Sequence, residues 1–142
     1  MIRHRRIHRV VFIAAGLYNC AWGLWTLLDP QWFFRFTGMP AINYPAVFAC
    51  LGMVVGLYGI LYLEVARVPE RGWLIAAVGL TGKILGPAGM TWLVATGAWP
   101  PSALVLCLAN DIIWWVPFGL YLRDGWRFRP GAEEARQLPP LR

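Results

Sequence analysis

The sequence predicts an all-α fold, a membrane-integral four-helix bundle with both termini on the cytoplasmic side and a short outer interfacial segment between helices 1 and 2. Three observations predict it. Of 142 residues, 58% are apolar and 14% charged, against about 45–50% and about 25% in soluble domains. The apolar residues gather into four runs, each long enough to cross roughly 30 Å of hydrocarbon as helix. The basic residues outside those runs fall almost wholly on one side of the membrane that the runs define.

Residues 1–9 are a basic arm carrying Arg3, Arg5, Arg6 and Arg9. The first span, 10–28, has no charged residue. A basic arm before an apolar run also begins a signal peptide, but this run exceeds the usual h-region of about 7–15 residues and no Ala-x-Ala site follows, so a retained helix is expected. In the loop 29–45, Pro30 and Gly38 bracket an aromatic stretch with room for two helical turns. It is expected to lie on the outer leaflet, as an irregular loop dipping its rings into headgroups or as a lid over an opening between helices.

The second span, 46–63, is also uncharged, whereas the third, 73–96, carries Lys83 and the fourth, 103–122, carries Asp111. The tail, 123–142, holds Pro130, Pro139 and Pro140 and reads as mostly disordered. Lys and Arg outside the spans number four in the arm, two in the loop 64–72 and five in the tail, against Arg35 alone in the loop 29–45. That asymmetry predicts both termini in the cytoplasm, for a multi-pass protein of a bacterial inner membrane. Trp25, Trp32 and Trp99 then fall near the outer boundary and Trp73 and Trp126 near the inner one, where amphipathic rings are favoured. The net charge of +6 is explained by topology, so no nucleic-acid partner is expected.

At about 1.5 Å per residue, Lys83 and Asp111 reach the same depth, roughly 14–15 Å from a boundary. Asn19 on the first span stands at a similar height, and Asn110 adjoins Asp111. A lone Lys or Asp at the centre of a span costs about 2.5–3.5 kcal/mol on insertion scales, so both should face the bundle interior. A six-residue loop makes spans three and four antiparallel neighbours, and Lys83 and Asp111 are expected within salt-bridge reach, either ionised or neutral after proton transfer.

Pro87 lacks an amide hydrogen and crowds the carbonyl four residues earlier, that of Lys83; Pro117 does the same to Ile113. Backbone loosened at membrane depth is tolerated only where protein or a wet cavity satisfies it, which points to a small internal cavity unless the kinks serve packing alone. Gly79, Gly82, Gly86 and Gly89 form a smooth stripe along span three, with Gly52 and Gly56 on span two as its expected packing partner. Cys107, Asp111, Trp114 and Phe118 share one helical face, with Trp115 a turn from Asp111. Tyr18, Tyr58 and Tyr62 are placed to offer hydroxyls to the same interior, or to supply bulk opposite glycine. The candidate ligand-binding set is therefore Tyr18, Asn19, Tyr58, Lys83, Asn110, Asp111, Trp114 and Trp115, with Asp111 and Lys83 as the candidates for any catalysis.

Both histidines, His4 and His8, lie in the arm, so no span offers a His ligand for haem or di-iron chemistry. His4 and His8 stand at metal-sharing spacing on a helix, but the neighbouring arginines oppose a cation, and no metal is expected. Cys20, Cys50 and Cys107 lie within apolar runs and form neither a Cys-x-x-Cys pair nor a disulfide framework. No phosphate-binding glycine loop or nucleophile elbow occurs, and no cofactor is indicated.

The segments Tyr18-Asn19-Cys20-Ala21-Trp22-Gly23, Asn43-Tyr44-Pro45, Gly52-Met53-Val54-Val55-Gly56-Leu57-Tyr58-Gly59, Gly82-Lys83-Ile84-Leu85-Gly86-Pro87 and Asn110-Asp111-Ile112-Ile113-Trp114-Trp115-Val116-Pro117-Phe118 resemble small bacterial four-span proteins of the DoxX-like kind. The resemblance covers residues 10–122. It implies a membrane accessory role beside quinone-linked redox complexes. The alkyl hydroperoxide reductase label carried by some such proteins implies a peroxidatic cysteine, and the cysteines here lack the accessible, electropositive setting a reactive thiolate needs.

Three functions fit these residues. The first is a non-enzymatic bundle that binds a lipophilic ligand or serves as an accessory subunit, its partners being membrane lipid and a larger complex or further copies of the chain. The second is a quinone- or lipid-linked oxidoreductase or isomerase with Asp111 as acid or base. The third is a small proton-coupled carrier using the Lys83 and Asp111 pair.

Overall fold

The structure, a computed structural model, describes residues 2–132 and contains no strand among them. Six helices follow in order: α1 (Arg5–Leu28), α2 (Trp32–Thr37), α3 (Pro45–Arg67), α4 (Trp73–Ala95), α5 (Ala103–Asn110) and α6 (Trp115–Asp124). Arg5–Leu28, Pro45–Arg67, Trp73–Ala95 and Ala103–Asp124 are each long and apolar enough to cross a membrane, the last being α5 and α6 together. The chain is thus built as a polytopic membrane protein.

Within the basic arm, α1 is already helical at Arg5. Side chains at this end hold it against the rest of the bundle. His4 Nδ1 and His8 Nε2 each lie 3.1 Å from Asp124 Oδ2 at the end of α6, and Arg5 Nε donates to Glu70 Oε1 at 3.2 Å. The Tyr121 hydroxyl donates to the Pro69 carbonyl at 2.5 Å, and Trp73 Nε1 donates to the Leu122 carbonyl at 3.0 Å. Beneath these bonds Phe12, Tyr62, Phe118 and Tyr121 pack ring against ring, with Phe12 centroids 4.6 Å from Phe118 and 4.7 Å from Tyr121. The tail begins with a short 3-10 turn, Trp126–Phe128, whose Trp126 packs edge-on against Trp73 at 5.6 Å. Residues 133–142, half of the tail for which disorder was expected, lie outside the described residues.

The tightest packing in the bundle joins α1 to α3, and glycine makes it possible. A Cβ on Gly23 would lie 2.5 Å from the Gly52 carbonyl oxygen and 2.6 Å from the Gly56 nitrogen; one on Gly59 would lie 2.7 Å from the Gly16 carbonyl oxygen. No side chain fits there, so the two backbones touch along the seam. This corrects the expected pairing of Gly52 and Gly56 with the stripe on span three: both face α1. On α4 only Gly79 is pressed against a neighbour from α3, the Tyr62 ring, while Gly82 and Gly89 have nothing within 4 Å of a would-be Cβ.

At the opposite end, α2 packs Phe33 and Phe34 against Phe48, Trp99 and Ala103. Gly38 ends it in the left-handed region at φ 76°, which glycine adopts without strain. The Ser102 hydroxyl donates to the Thr37 carbonyl at 2.7 Å, and Gln31 exchanges two 3.0 Å bonds with the Ile42 backbone, so the connection from α2 to α3 is held at both ends.

Candidate functional site

Two interruptions of the long apolar helices meet, one in α4 and one between α5 and α6. In α4, Pro87 removes the amide that would bond the Lys83 carbonyl. Trp115 Nε1 takes the place of that amide, donating to the Lys83 carbonyl at 2.9 Å. In the fourth span the helix stops altogether: α5 ends at Asn110, Asp111 leaves helical geometry at φ −127° and ψ −57°, and a 3-10 turn, Ile112–Trp114, leads into α6. Pro117 therefore does not kink a continuous helix, as its position alone predicts. It is the third residue of α6, where its missing amide is one that no helical carbonyl would have accepted.

The break leaves carbonyls at the C-terminus of α5 without helical partners, and Lys83 reaches one of them. Its Nζ donates to the Asn110 carbonyl at 2.7 Å, while Asp111 Oδ1 is 3.9 Å away. Lys83 and Asp111 form the expected buried salt bridge, but the ammonium is bonded more closely to backbone than to carboxylate. A cation at the negative end of a half-helix is the favourable placement. Each interrupted helix is thus completed by a side chain from the other. Asp111 Oδ1 also accepts from Asn110 Nδ2 at 3.3 Å, and Oδ2 points at Gly86, 3.5 Å from where a Cβ would sit.

Beside these groups lies a cavity of about 620 Å³, bounded by α3 on one wall and α4 on the other. That volume is within the about 300–1,000 Å³ usual for small-molecule sites. Asn19, Tyr58, Lys83, Asn110 and Asp111 all line it, so five of the eight residues singled out by sequence come together. Tyr18, Trp114 and Trp115 do not line it. Tyr18 packs on Trp114 at 6.0 Å, Trp114 stands 5.9 Å from the Lys83 ammonium, and Trp115 is turned to the Lys83 carbonyl.

Three buried polar atoms here have no hydrogen-bond partner: Asn19 Oδ1, Asn110 Oδ1 and Trp114 Nε1. Such atoms cost about 1–3 kcal/mol each when left unpaired, and they gather at functional positions. The wall residues that sequence reasoning missed are, apart from Thr81, apolar, among them Trp22, Phe33, Phe48, Leu51, Met90 and Trp99. In a chain this hydrophobic, an apolar side chain facing a cavity looks like one facing lipid. What the sequence offered toward a cavity was the backbone loosened at Pro87 and Pro117, which does not say which side chains form the wall.

The cavity is open along its side. Leu51 and Val54 on α3 and Val78, Gly82 and Leu85 on α4 are exposed at its rim, where the surroundings of a spanning helix are acyl chains. His4 and His8, placed by spacing at a metal-sharing interval, share the Asp124 carboxylate instead; among the described residues no group of three or more His, Cys, Asp or Glu side chains is placed to hold a metal ion. Compared with family models, curated proteins and solved structures, the chain finds no match.

Proposed function

We propose that this protein is a multi-pass protein of a bacterial inner membrane, with both termini cytoplasmic, that takes a lipophilic ligand into the cavity between α3 and α4. The ligand enters sideways from the bilayer, lays its apolar part against Phe33, Phe48, Leu51 and Trp99, and sets its headgroup beside Lys83, Asn110 and Asp111. The observation that carries this reading is a 620 Å³ space, walled by apolar side chains, into which a buried ion pair and a buried, unpartnered Asn19 are set. A bundle built for packing alone would fill such a space, since empty volume forfeits dispersion contacts. On this reading α2 closes the outer end of the cavity through Phe33.

Native mass spectrometry of protein released from lipid nanodiscs tests the proposal. Wild type is expected to retain one lipid-sized adduct. Gly82→Leu, which places a side chain at the cavity mouth where a Cβ meets nothing within 4 Å, is expected to lose most of it while folding normally. Equal retention by both proteins would remove the cavity as the site.

A second reading, an accessory subunit as the DoxX-like resemblance implies, is favoured by Gly82 and Gly89, whose bare faces on α4 suit the close approach of another helix. Under that reading Gly82→Leu abolishes co-purification of a partner, and no lipid adduct appears.

A further inference from the structure

We infer that the headgroup this cavity selects is neutral and donates a hydrogen bond, a hydroxyl-bearing amphiphile in place of an anionic lipid; this rests on the ligand-binding reading above. The charge at the site is already balanced. Lys83 lines the cavity as its cation, and among the described residues no arginine joins it there. That single ammonium is bonded to the Asn110 carbonyl at 2.7 Å and faces Asp111 Oδ1 at 3.9 Å. A phosphate or carboxylate entering beside Lys83 would meet the Asp111 carboxylate in a low-dielectric setting, where like charges repel strongly.

Trp114 Nε1 does not line the cavity, and the two other atoms without partners, which belong to residues that do, are acceptors. The Asn110 amide is fixed in orientation because its Nδ2 donates to Asp111 Oδ1, so the unpartnered Oδ1 is an acceptor and not a misassigned nitrogen. Asn19 Oδ1 is buried and unpartnered on the α1 wall of the same cavity. Asp111 Oδ2, directed at Gly86, is a third acceptor lining it. The Asn19 and Asn110 oxygens are closed in by protein, so Asp111 Oδ2, beside Gly86 on the cavity wall, is the acceptor a headgroup meets. A ligand hydroxyl hydrogen can satisfy it, and the hydroxyl oxygen can in turn accept from Lys83. A ligand with acceptors only leaves Asp111 Oδ2 without that donor.

The test holds the chain constant and varies the headgroup. Oleyl alcohol, oleyl methyl ether and oleate are titrated into the full-length protein in detergent, and occupancy is read by native mass spectrometry. Oleyl alcohol is expected to bind about tenfold tighter than the ether and than oleate, the factor one hydrogen bond to a buried acceptor supplies. Ether or oleate binding as tightly as the alcohol to the wild-type chain overturns the headgroup assignment and leaves the cavity standing. Absence of binding by all three, together with indifference to Gly82→Leu, overturns the ligand reading itself.

Discussion

Lys83 is placed to do two things, cap the broken helix α5 and neutralise Asp111, and a double-mutant cycle separates them. At 3.9 Å and an effective dielectric of about 20, the attraction to Asp111 is of order 4 kcal/mol before desolvation. Desolvation of both groups cancels much of that, so the net worth of the pair is small. The 2.7 Å bond from the ammonium to the Asn110 carbonyl is worth about 1.5–3 kcal/mol as a bond to a charged group. Lys83→Met leaves a buried carboxylate uncompensated and a carbonyl unpaired, and the expected loss is about 3–5 kcal/mol. Adding Asp111→Asn removes the stranded charge but not the stranded carbonyl. The double variant is therefore expected to remain about 1.5–3 kcal/mol below wild type. The assay is unfolding in mixed micelles by increasing SDS fraction, followed by fluorescence of the nine tryptophans, which include Trp114 and Trp115 at the site. Recovery of the double variant to within about 0.5 kcal/mol of wild type would refute the capping role and make Asp111 the whole reason for Lys83.

The remaining expectations use the same assay. Gly23→Ala forces a Cβ against backbone at 2.5–2.7 Å and should cost about 1–3 kcal/mol, whereas Gly82→Ala, open to 4 Å, should gain up to about 1 kcal/mol from helix preference; similar outcomes would refute the α1–α3 seam. Trp115→Phe removes the donor to the Lys83 carbonyl and should cost about 1–2 kcal/mol, and a neutral result would mean that the Pro87 kink needs no outside partner. At Glu70, burial raises the carboxyl pKa, but backbone amides and Arg5 outweigh it and hold the group below its ordinary value. A lowered folded value contributes stability above the unfolded pKa, near about 4.3, that is lost as pH falls through the folded value. Glu70→Gln should accordingly lose less stability than wild type between about pH 5 and pH 3, and parallel curves would dismiss the Arg5 contact.

How legible the site was from sequence depended on whether polarity marked it. Lys83 and Asp111 stood out because a charge within a span is costly, and cost alone predicted that they face inward together. The freed Lys83 carbonyl was likewise readable from Pro87, since the ring excludes a bond at one fixed offset. The position of the break in the fourth span was not. Pro117 predicts trouble at Ile113, yet the chain ends α5 at Asn110 and begins α6 at Trp115, so that Pro117 falls in a first turn where it is harmless. The helix pairing was misread for a related reason. Glycine spacing identifies a face that admits close approach but carries no record of which helix approaches, and Gly52 and Gly56 served α1 as well as they would have served α4.

That pairing is also what opens the cavity. The seam of Gly16, Gly23, Gly52, Gly56 and Gly59 draws α3 onto α1 until backbone meets backbone, which fixes α3 independently of α4. Where α4 must then touch α3, near the arm end, Tyr62 fills the space above Gly79. Farther along, α4 offers Gly82 and Gly86 to the gap, and neither meets a side chain from α3. Small residues on α4 without large ones opposite leave volume, and the broken fourth span supplies its polar floor through Asn110 and Asp111. A substitution that loosens the α1–α3 seam should let α3 relax toward α4 and shrink the cavity. On that reasoning Gly23→Ala is expected to weaken ligand retention from a distance, although Gly23 does not line the cavity and both Gly82 and Asp111 are untouched. Retention equal to wild type in a folded Gly23→Ala protein would show that α3 is held in place by something other than the glycine seam.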